Sequence, residues 1–397
     1  MTTTAFAPDF PAVRRVPLVT RPLLLRFVSI IGSSTSFYLP LSVVPLYAKS
    51  SGSAAGAGFA TGVLLLATVL VELITPRLVS RVGYRVALAI GLSALGLPAL
   101  GLLASSSLAV ILAVSLVRGA GFAVVTVAGG ALTQTLIPPE RRGEGLALTG
   151  LVSGVPALVS LPLGVWAAAR WGFGPIFVAT AAAALLALIT VPGLPDHETA
   201  SHETASQQAR DKLAHGVLSA LRNPGLTRPA ALFSASTMAT GVLVTFLPLA
   251  VAARSAGVVT LALFAQPAAA TLTRLAAGRI GDRHGHARLL GPGLLLSAAG
   301  MASLAATGSP VLVIGGAAVF GAGFGLLSNA TLALMYARTT RAGYSAVSAV
   351  WNAAYDAGMG AGAIGMGLVT GHLGYPGTFL LTAALILPAL VLARQKR

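Results

Sequence analysis

Two carboxylates, Glu72 and Asp356, lie within long apolar stretches of the chain, whereas the other eight acidic residues fall in predicted loops or tails. An ionised side chain in the interior of a lipid bilayer costs roughly 2.5 to 3.5 kcal/mol on insertion scales, so it usually faces a partner or a wet cavity. Removal from water favours the protonated carboxyl group, which can then exchange a proton near neutral pH. Both residues are therefore candidate proton-coupling groups.

Asp356 is the deeper of the two carboxylates. It follows Arg341 by about 15 residues, or roughly 22 Å along a helix, which places it well inside a membrane. A structural carboxylate that hydrogen-bonds its neighbours would suit the same position, so both interpretations stay open. A helix would bring to one face Asn352, Asp356, Met359 and Ala363, with Tyr355 beside them.

Arg118 is a further charged residue inside apolar sequence, about ten residues into the stretch 108–136. An unpaired guanidinium at that depth would be costly, so we expect it to meet a carboxylate, backbone carbonyls or an anionic group of a solute. A role in proton movement and a purely structural role both fit this position.

The elements that would position these residues follow from composition. Hydrophobic residues make up 55% of the 397 residues and charged residues only 9%, against roughly 25% charged in a soluble domain. A span across a bilayer needs about 20 apolar residues, and only helices or closed barrels satisfy their backbone there. The apolar stretches are continuous and lack the alternation of a barrel strand, so they are predicted to be helices.

The sequence predicts an all-α integral membrane protein with twelve transmembrane helices in two pseudo-symmetric six-helix bundles. The expected domains are an N-terminal cytoplasmic tail (1–20), an N-terminal bundle (21–195), a cytoplasmic linker (196–227), a C-terminal bundle (228–394) and a cytoplasmic tail (395–397). The predicted spans are 22–47, 56–79, 86–104, 108–136, 146–169, 174–194, 229–252, 257–279, 288–307, 310–337, 343–370 and 374–393.

An internal repeat with a constant offset predicts the two bundles. Arg77 corresponds to Arg279 (279 − 77 = 202), and the stretch 119–122 recurs at 321–324. Two homologous halves are typical of transporters that rock about a central site. At the same offset Glu72 corresponds to Arg274 (274 − 72 = 202), which predicts a gate pair near the inner mouth. Pairing of each residue within its own half is the alternative.

The positions of Lys and Arg predict the orientation. Lys49, Arg170 and Arg254 are the cations of the odd-numbered loops, whereas the even-numbered loops and both tails carry many more. By the positive-inside rule both termini are cytoplasmic, and we expect a multi-pass protein of the cell membrane. Topology and anionic inner-leaflet lipid account for the net charge of +16, so no nucleic-acid partner is predicted.

The sequence also argues against metal sites, disulfides and a cleaved signal peptide. The linker contains a tandem in which His197 and His202 lie five apart and share no helix face, so no metal site is predicted. The chain contains no cysteine, which excludes disulfides, thiolate metal sites and cysteine nucleophiles. The first span lacks a signal-peptide cleavage site and is expected to remain uncleaved.

Several motifs resemble the major facilitator superfamily. The stretch 278–285, followed by Arg288, resembles the family's loop between the second and third helix of each half, and 76–85 is its counterpart in the first half. The stretch 118–121 resembles the fourth-helix arginine motif, which implies an influence of Arg118 on proton movement. The resemblance covers 21–394 and implies alternating access. The fifth predicted helix carries residues that resemble a motif typical of the drug/proton antiporter branch, namely Gly150, Gly154, Pro156, Pro162 and Gly164.

The resemblance also implies a conformational latch. Asp282, at the end of the eighth helix, would hydrogen-bond the exposed amides of the fifth helix and close the cytoplasmic side in the outward-open state. Ser80 stands where the family usually carries an aspartate, so the latch should depend on Asp282; lipid anchoring by the arginines alone is the alternative. The predicted gate and latch residues are Arg77, Arg81, Gly83, Arg274, Gly278, Arg279, Asp282, Arg283 and Gly285.

The family's arrangement places helices one, four, seven and ten around a central path. The hydroxyls, aromatic rings and scarce charges on these helices suggest a neutral or weakly cationic, amphipathic solute. With two residues of the eleventh helix added, the predicted cavity set is Ser33, Phe37, Tyr38, Phe122, Thr126, Thr237, Thr240, Phe324, Asn329, Asn352 and Tyr355.

These patterns together predict a monomeric secondary active transporter that exports small amphipathic compounds, drugs or metabolites, in exchange for protons. Its partners would be a small-molecule substrate, protons and membrane lipid. The sequence shows no nucleotide-binding motif and no catalytic constellation, so neither an enzyme nor a cofactor is predicted. Proton-coupled uptake of a small metabolite is one alternative, and a non-transporting receptor or lipid-handling protein with the same fold is another.

Overall fold

The computed structural model describes residues 19–50, 54–138, 141–196, 223–251, 255–339 and 344–393, and within these ranges the chain forms helices and turns with no β-strand. The linker tandem with His197 and His202, most of both predicted tails, and Arg254 and Arg341 lie outside the described residues. The helices are α1 (Arg21–Tyr38), α2 (Val43–Ser50), α3 (Ala54–Gly96), α4 (Gly101–Ala104), α5 (Leu108–Leu136), α6 (Arg142–Trp171), α7 (Phe173–Leu188), α8 (Pro224–Ala250), α9 (Ala256–His284), α10 (Leu290–Ser303), α11 (Pro310–Ala337), α12 (Tyr344–Ile386) and α13 (Ala389–Ala393).

Nine helical segments within the described ranges are long and apolar enough to cross a membrane, so the chain is a multi-pass membrane protein. The twelve predicted spans do not appear one for one. α3 and α12 each join two predicted spans, because the backbone turns at Gly83 (φ 79, ψ 172) and Gly374 (φ 65, ψ 175) without a separate loop. The predicted span 288–307 is represented by α10, which has only 14 residues.

The internal repeat found in the sequence recurs in the backbone. Positive φ angles occur, among the described residues, only at Gly83, Gly172, Gly285 and Gly374, which form two pairs at one offset (285 − 83 = 374 − 172 = 202). Glycine populates this region because it has no Cβ. The caps repeat as well: at the start of α5 the Ser107 hydroxyl accepts from the amide of residue 110, and at the start of α11 the Ser309 hydroxyl accepts from the amide of residue 312.

Glycines also set the packing within each half. A Cβ on Gly119 of α5 would lie 2.0 Å from the Leu64 carbonyl oxygen of α3, and a Cβ on Gly321 of α11 would lie 2.1 Å from the Gln266 carbonyl oxygen of α9. These two contacts are also related by the repeat (266 − 64 = 202). Backbone contacts this close need small residues, which are common where membrane helices meet.

The two halves touch at one end, which we call the closed end. The Ser42 hydroxyl donates to the Val244 carbonyl at 2.8 Å, and the hydroxyls of Thr61 and Thr245 are 3.1 Å apart. Beside them the start of α3 packs on the later part of α12, where a Cβ on Gly58 would lie 2.2 Å from the carbonyl oxygen of residue 363. The opposite end, where Gly83 and Gly285 lie, is called the loop end.

Candidate functional site

A cavity of about 540 Å³ lies between the two halves. Its walls are mixed, with apolar residues, aromatic rings and a few polar or charged groups. Gly154, Arg274 and Asn352 line it and are exposed, so the cavity opens toward the loop end. Its polar and charged lining consists of Tyr38, Glu72, Thr126, Ser153, Thr240, Gln266, Thr271, Arg274, Asn352, Tyr355 and Asp356.

The predicted carboxylates meet at this cavity. Glu72 on α3 and Asp356 on α12 both line it, both are half-buried, and they are close enough to interact electrostatically. Within the described part of the chain, neither carboxylate forms a hydrogen bond or an ion pair. The site therefore presents two neighbouring acidic groups to a space that can hold solute or water.

Small residues of α12 explain why Asp356 points into the cavity. A Cβ on Gly360, one turn after Asp356, would lie 3.3 Å from the Cβ of Leu65. A Cβ on Gly358, between them, would lie 2.7 Å from the Ser234 carbonyl oxygen. The backbone of α12 is therefore pressed against both α3 and α8. Because these contacts occupy other faces of α12, the face that carries Asp356 lines the cavity between the halves.

Arg274 lies on the α9 wall of the same cavity, but it does not pair with Glu72 in this conformation. The two residues occupy equivalent repeat positions and both line the cavity. Arg274 has no ion pair with any described residue, and the groups that interact with it electrostatically include Tyr355. The two members of the predicted gate pair therefore both line the cavity, and neither has an ion-pairing partner among the described residues.

Aromatic rings form two further walls. On the first half Phe37 and Phe122 stack with their centroids 3.7 Å apart, and both line the cavity. On the second half Phe324 and Tyr355 meet edge to face at 6.2 Å, and Trp351 lies beside them in the lining. Phe122 and Phe324 are repeat partners (324 − 122 = 202), so the repeat supplies one phenyl ring from each half.

Arg118 lies outside the cavity, in the core of the first half, where it is 2% exposed. Its guanidinium donates to the Ser36 carbonyl at 2.6 Å and to the Leu95 carbonyl at 3.1 Å. In a continuous helix the Ser36 carbonyl would accept from residue 40, but Pro40 has no N–H to donate. Arg118 thus satisfies the acceptor that the break between α1 and α2 leaves open, which is one of the partners expected from the sequence.

Arg26 is a second buried cation of the first half and was not among the predicted site residues. It is 4% exposed and donates to the Gly129 carbonyl at 3.1 Å, the Thr133 hydroxyl at 3.2 Å and the Ser29 hydroxyl at 3.0 Å. These bonds tie α1 to α5. Its presence within the apolar stretch 22–47 was the available signal, by the reasoning applied to Arg118.

Eight of the eleven predicted cavity residues line the cavity, and the other three do not. Phe37, Tyr38, Phe122, Thr126, Thr240, Phe324, Asn352 and Tyr355 lie in it. Ser33, Thr237 and Asn329 lie outside it: the Ser33 hydroxyl donates to a carbonyl of its own helix, the Thr237 hydroxyl donates to carbonyls on α8 and α12, and Asn329 faces Gly278. Gln266 and Trp351 line the cavity without having been predicted; each is a polar or amphipathic residue inside a predicted span.

The predicted latch residues lie on the surface of the loop end. Arg77, Arg81, Arg279, Asp282 and Arg283 are all exposed. The Asp282 carboxylate lies 3.4 Å from His286 Nε2, and among the described residues it has no hydrogen bond or ion pair to the start of α6.

In the first half, Asp196, at the end of that half, packs against the corresponding loop near Gly83. Its carboxylate accepts from the Arg85 amide at 3.1 Å, and a Cβ on Gly83 would lie 2.9 Å from the same oxygen. The Arg85 side chain also donates to the Leu194 carbonyl. The end of the first half is thereby tied to the turn at Gly83.

Comparison with known proteins places this geometry among transporters. A model of the Major Facilitator Superfamily matches residues 26–265 and 234–395. No curated protein is significantly similar to the chain in sequence.

Solved structures with the same fold include the nucleoside transporter NupG, with 14% identity, a TM-score of 0.74, and 95% of this chain and 100% of that chain covered. The xylose transporter XylE from E. coli, in a partially occluded inward-open conformation, has 14% identity and a TM-score of 0.69 over 94% of this chain and 93% of its own. A POT family transporter in complex with 5-aminolevulinic acid has 13% identity and a TM-score of 0.71 over 94% and 95%. At these identities the likeness shows the fold.

Proposed function

Because the chain belongs to the major facilitator superfamily, we propose that it is a drug/proton antiporter of that family, which exports small amphipathic compounds across the cell membrane in exchange for protons. The family and the structural neighbours indicate a transporter rather than an enzyme. The direction, the coupling ion and the class of compound are the proposed part.

The observation that carries the proposal is the pair Glu72 and Asp356, two carboxylates on the wall of a cavity between the halves that have no ion-pairing partner in the part of the chain that the structure describes. A carboxylate kept in an apolar membrane region at a cost of a few kcal/mol is most readily explained by a functional role. One of two adjacent carboxylates favours the protonated state of the other, because like charges repel. Asp356 takes up the proton in this account, and Glu72 modulates it.

Proton binding must then be coupled to the movement of the halves. In the conformation described, the halves meet at the closed end and the cavity faces the loop end. With both termini cytoplasmic, as the distribution of Lys and Arg suggests, this is an inward-facing state. Alternating access then requires closure of the loop end, which would bring Glu72 toward Arg274 and Asp282 toward the start of α6.

Coupled transport also needs rigid halves. Arg118 and Arg26 tie α1, α3 and α5 of the first half together through buried hydrogen bonds. We propose that Arg118 contributes to proton coupling indirectly, by fixing the break in α1 beside Tyr38, which lines the cavity. The protein would act as a monomer, since each chain contains the whole cavity.

Flux in proteoliposomes with an imposed pH gradient tests the proposal. Export in exchange for protons predicts that solute moves opposite to the proton flow, whichever way the gradient is applied. Accumulation of solute on the side that protons enter would instead show uptake by symport and overturn the proposal. Binding without flux under either gradient would show a non-transporting protein.

A further inference from the structure

The cavity between the halves has separate negative and positive regions. Glu72 and Asp356 lie on α3 and α12, which pack together, whereas Arg274 lies on α9, which packs on α6 and α11. None of the three has a hydrogen-bonding or ion-pairing partner within the described ranges. As far as the described residues go, each charge can therefore bind a group on a solute.

This arrangement selects among solutes by their charge. A solute with only a positive group can pair with the carboxylates, but it leaves Arg274 without a counter-charge and is repelled by it. A solute with only a negative group pairs with Arg274 and faces two carboxylates. A zwitterion can pair with both regions at once, so among these solutes it is the one whose charges all meet a counter-charge and none meets a like charge.

The aromatic walls define the rest of the solute. Phe122 and Phe324, the repeat partners, face the cavity from the two halves, and Phe37 stacks on Phe122. Rings of this kind favour flat apolar groups in stacked or edge-to-face contact. The cavity volume of about 540 Å³ lies within the usual range for sites that enclose compounds of drug size.

We propose that the cavity binds zwitterions with planar apolar rings, the cationic group at Glu72 and Asp356 and the anionic group at Arg274. This rests on the proposed function, because it names the solute class of the same cavity. The three charged residues set the preference for a zwitterion, and the phenyl rings set the preference for planar groups.

The dipeptide Trp-Trp and its three blocked forms test the proposal as a matched set of probes. Trp-Trp is a zwitterion, its C-terminal amide keeps only the positive charge, its N-acetyl form keeps only the negative charge, and the doubly blocked form is neutral. Binding is measured by isothermal titration calorimetry with the full chain in lipid nanodiscs. We expect the zwitterion to bind at least ~10-fold more tightly than any blocked form, since each blocked form loses a charge-assisted hydrogen bond.

Arg274→Gln supplies the second readout. In this variant the zwitterion should bind no more tightly than the amide, because the anionic group has lost its partner. The ratio is measured within one variant, so a partly unfolded preparation does not change it. Arg170→Gln, at an exposed cation that does not line the cavity, should keep the full preference for the zwitterion.

Two results would overturn the inference. One is an amide that binds the native protein as tightly as the zwitterion, and the other is an unchanged preference in Arg274→Gln. Both leave proton-driven export standing, because that proposal is tested by the direction of flux. Symport in proteoliposomes combined with a preference for the zwitterion would overturn the proposed direction and support the solute class.

Discussion

The guanidinium of Arg118 lies 2.6 Å from the carbonyl oxygen of Ser36, on another helix of the same half. This contact occurs where Pro40 removes the amide that would otherwise bond that carbonyl. A buried charge here holds a broken helix in place, and the break positions the part of α1 that lines the cavity.

Replacing Arg118 by Met should destabilise the protein. Two buried carbonyls would lose their donor, at about 1–3 kcal/mol each, so we expect a loss of about 2–6 kcal/mol. The stability of Arg118→Lys should lie between those of the native protein and Arg118→Met, because one ammonium group cannot donate to both carbonyls as the guanidinium does. Thermal unfolding of purified variants measures this, with Arg170→Gln as the exposed control. Native stability in Arg118→Met together with lost flux would show that the residue acts in transport directly.

Gly119→Ala and Gly321→Ala should both destabilise the protein, since the new Cβ atoms would lie 2.0 and 2.1 Å from carbonyl oxygens of the neighbouring helices. Overpacking of this kind costs about 1–3 kcal/mol. Gly150→Ala is the matched control, because a Cβ there meets nothing within 4 Å and alanine favours a helix. The midpoint of thermal unfolding should fall for the first two variants only. Equal midpoints for all three would mean that these helices do not pack so closely.

A large side chain at Gly154 should leave stability intact and abolish transport. Gly154 lines the open cavity, and a Cβ there meets nothing within 4 Å. It is the repeat counterpart of Asp356 (356 − 154 = 202), so closure of the loop end should bring it against the opposite half. Gly154→Phe is compared with Gly315→Phe, an exposed glycine with equal space. Native flux in Gly154→Phe would show that the loop end does not close at this point.

The closed end can be locked with a disulfide. The chain has no cysteine, and the hydroxyls of Thr61 and Thr245 are 3.1 Å apart. In a Thr61→Cys/Thr245→Cys variant, oxidation should join the halves and stop flux, and a reductant should restore it. A protease site placed in the linker reports the bond, because the halves then stay together on a denaturing gel. Undiminished flux through the cross-linked protein would contradict alternating access.

The fold was predictable because its signals are local or periodic. Apolar stretches predicted helices, and a single offset predicted the repeat that the backbone shows at Gly83 and Gly285. The number of separate spans was harder to predict from the sequence, since a glycine with positive φ can turn the chain without a polar loop.

For the site, Glu72 and Asp356 were recognisable because charge is rare in apolar sequence. Thr237 and Asn329 were predicted to line the central path only because they lie on the seventh and tenth predicted helices. Which side of a helix faces the cavity depends on packing, and here glycines such as Gly358 determine that packing. Arg26 carried the same signal as Arg118, and only the structure shows its three acceptors.

Two kinds of flux, measured in the variant Asp356→Asn in proteoliposomes, distinguish proton coupling from solute binding. Accumulation driven by a pH gradient requires the proton site, whereas exchange of labelled for unlabelled solute requires only binding and movement of the halves. We predict that Asp356→Asn loses gradient-driven accumulation and retains solute exchange at saturating solute, because Glu72 remains to bind the cationic group. Gradient-driven accumulation at the native rate in this variant would contradict the assignment of Asp356 as the proton carrier.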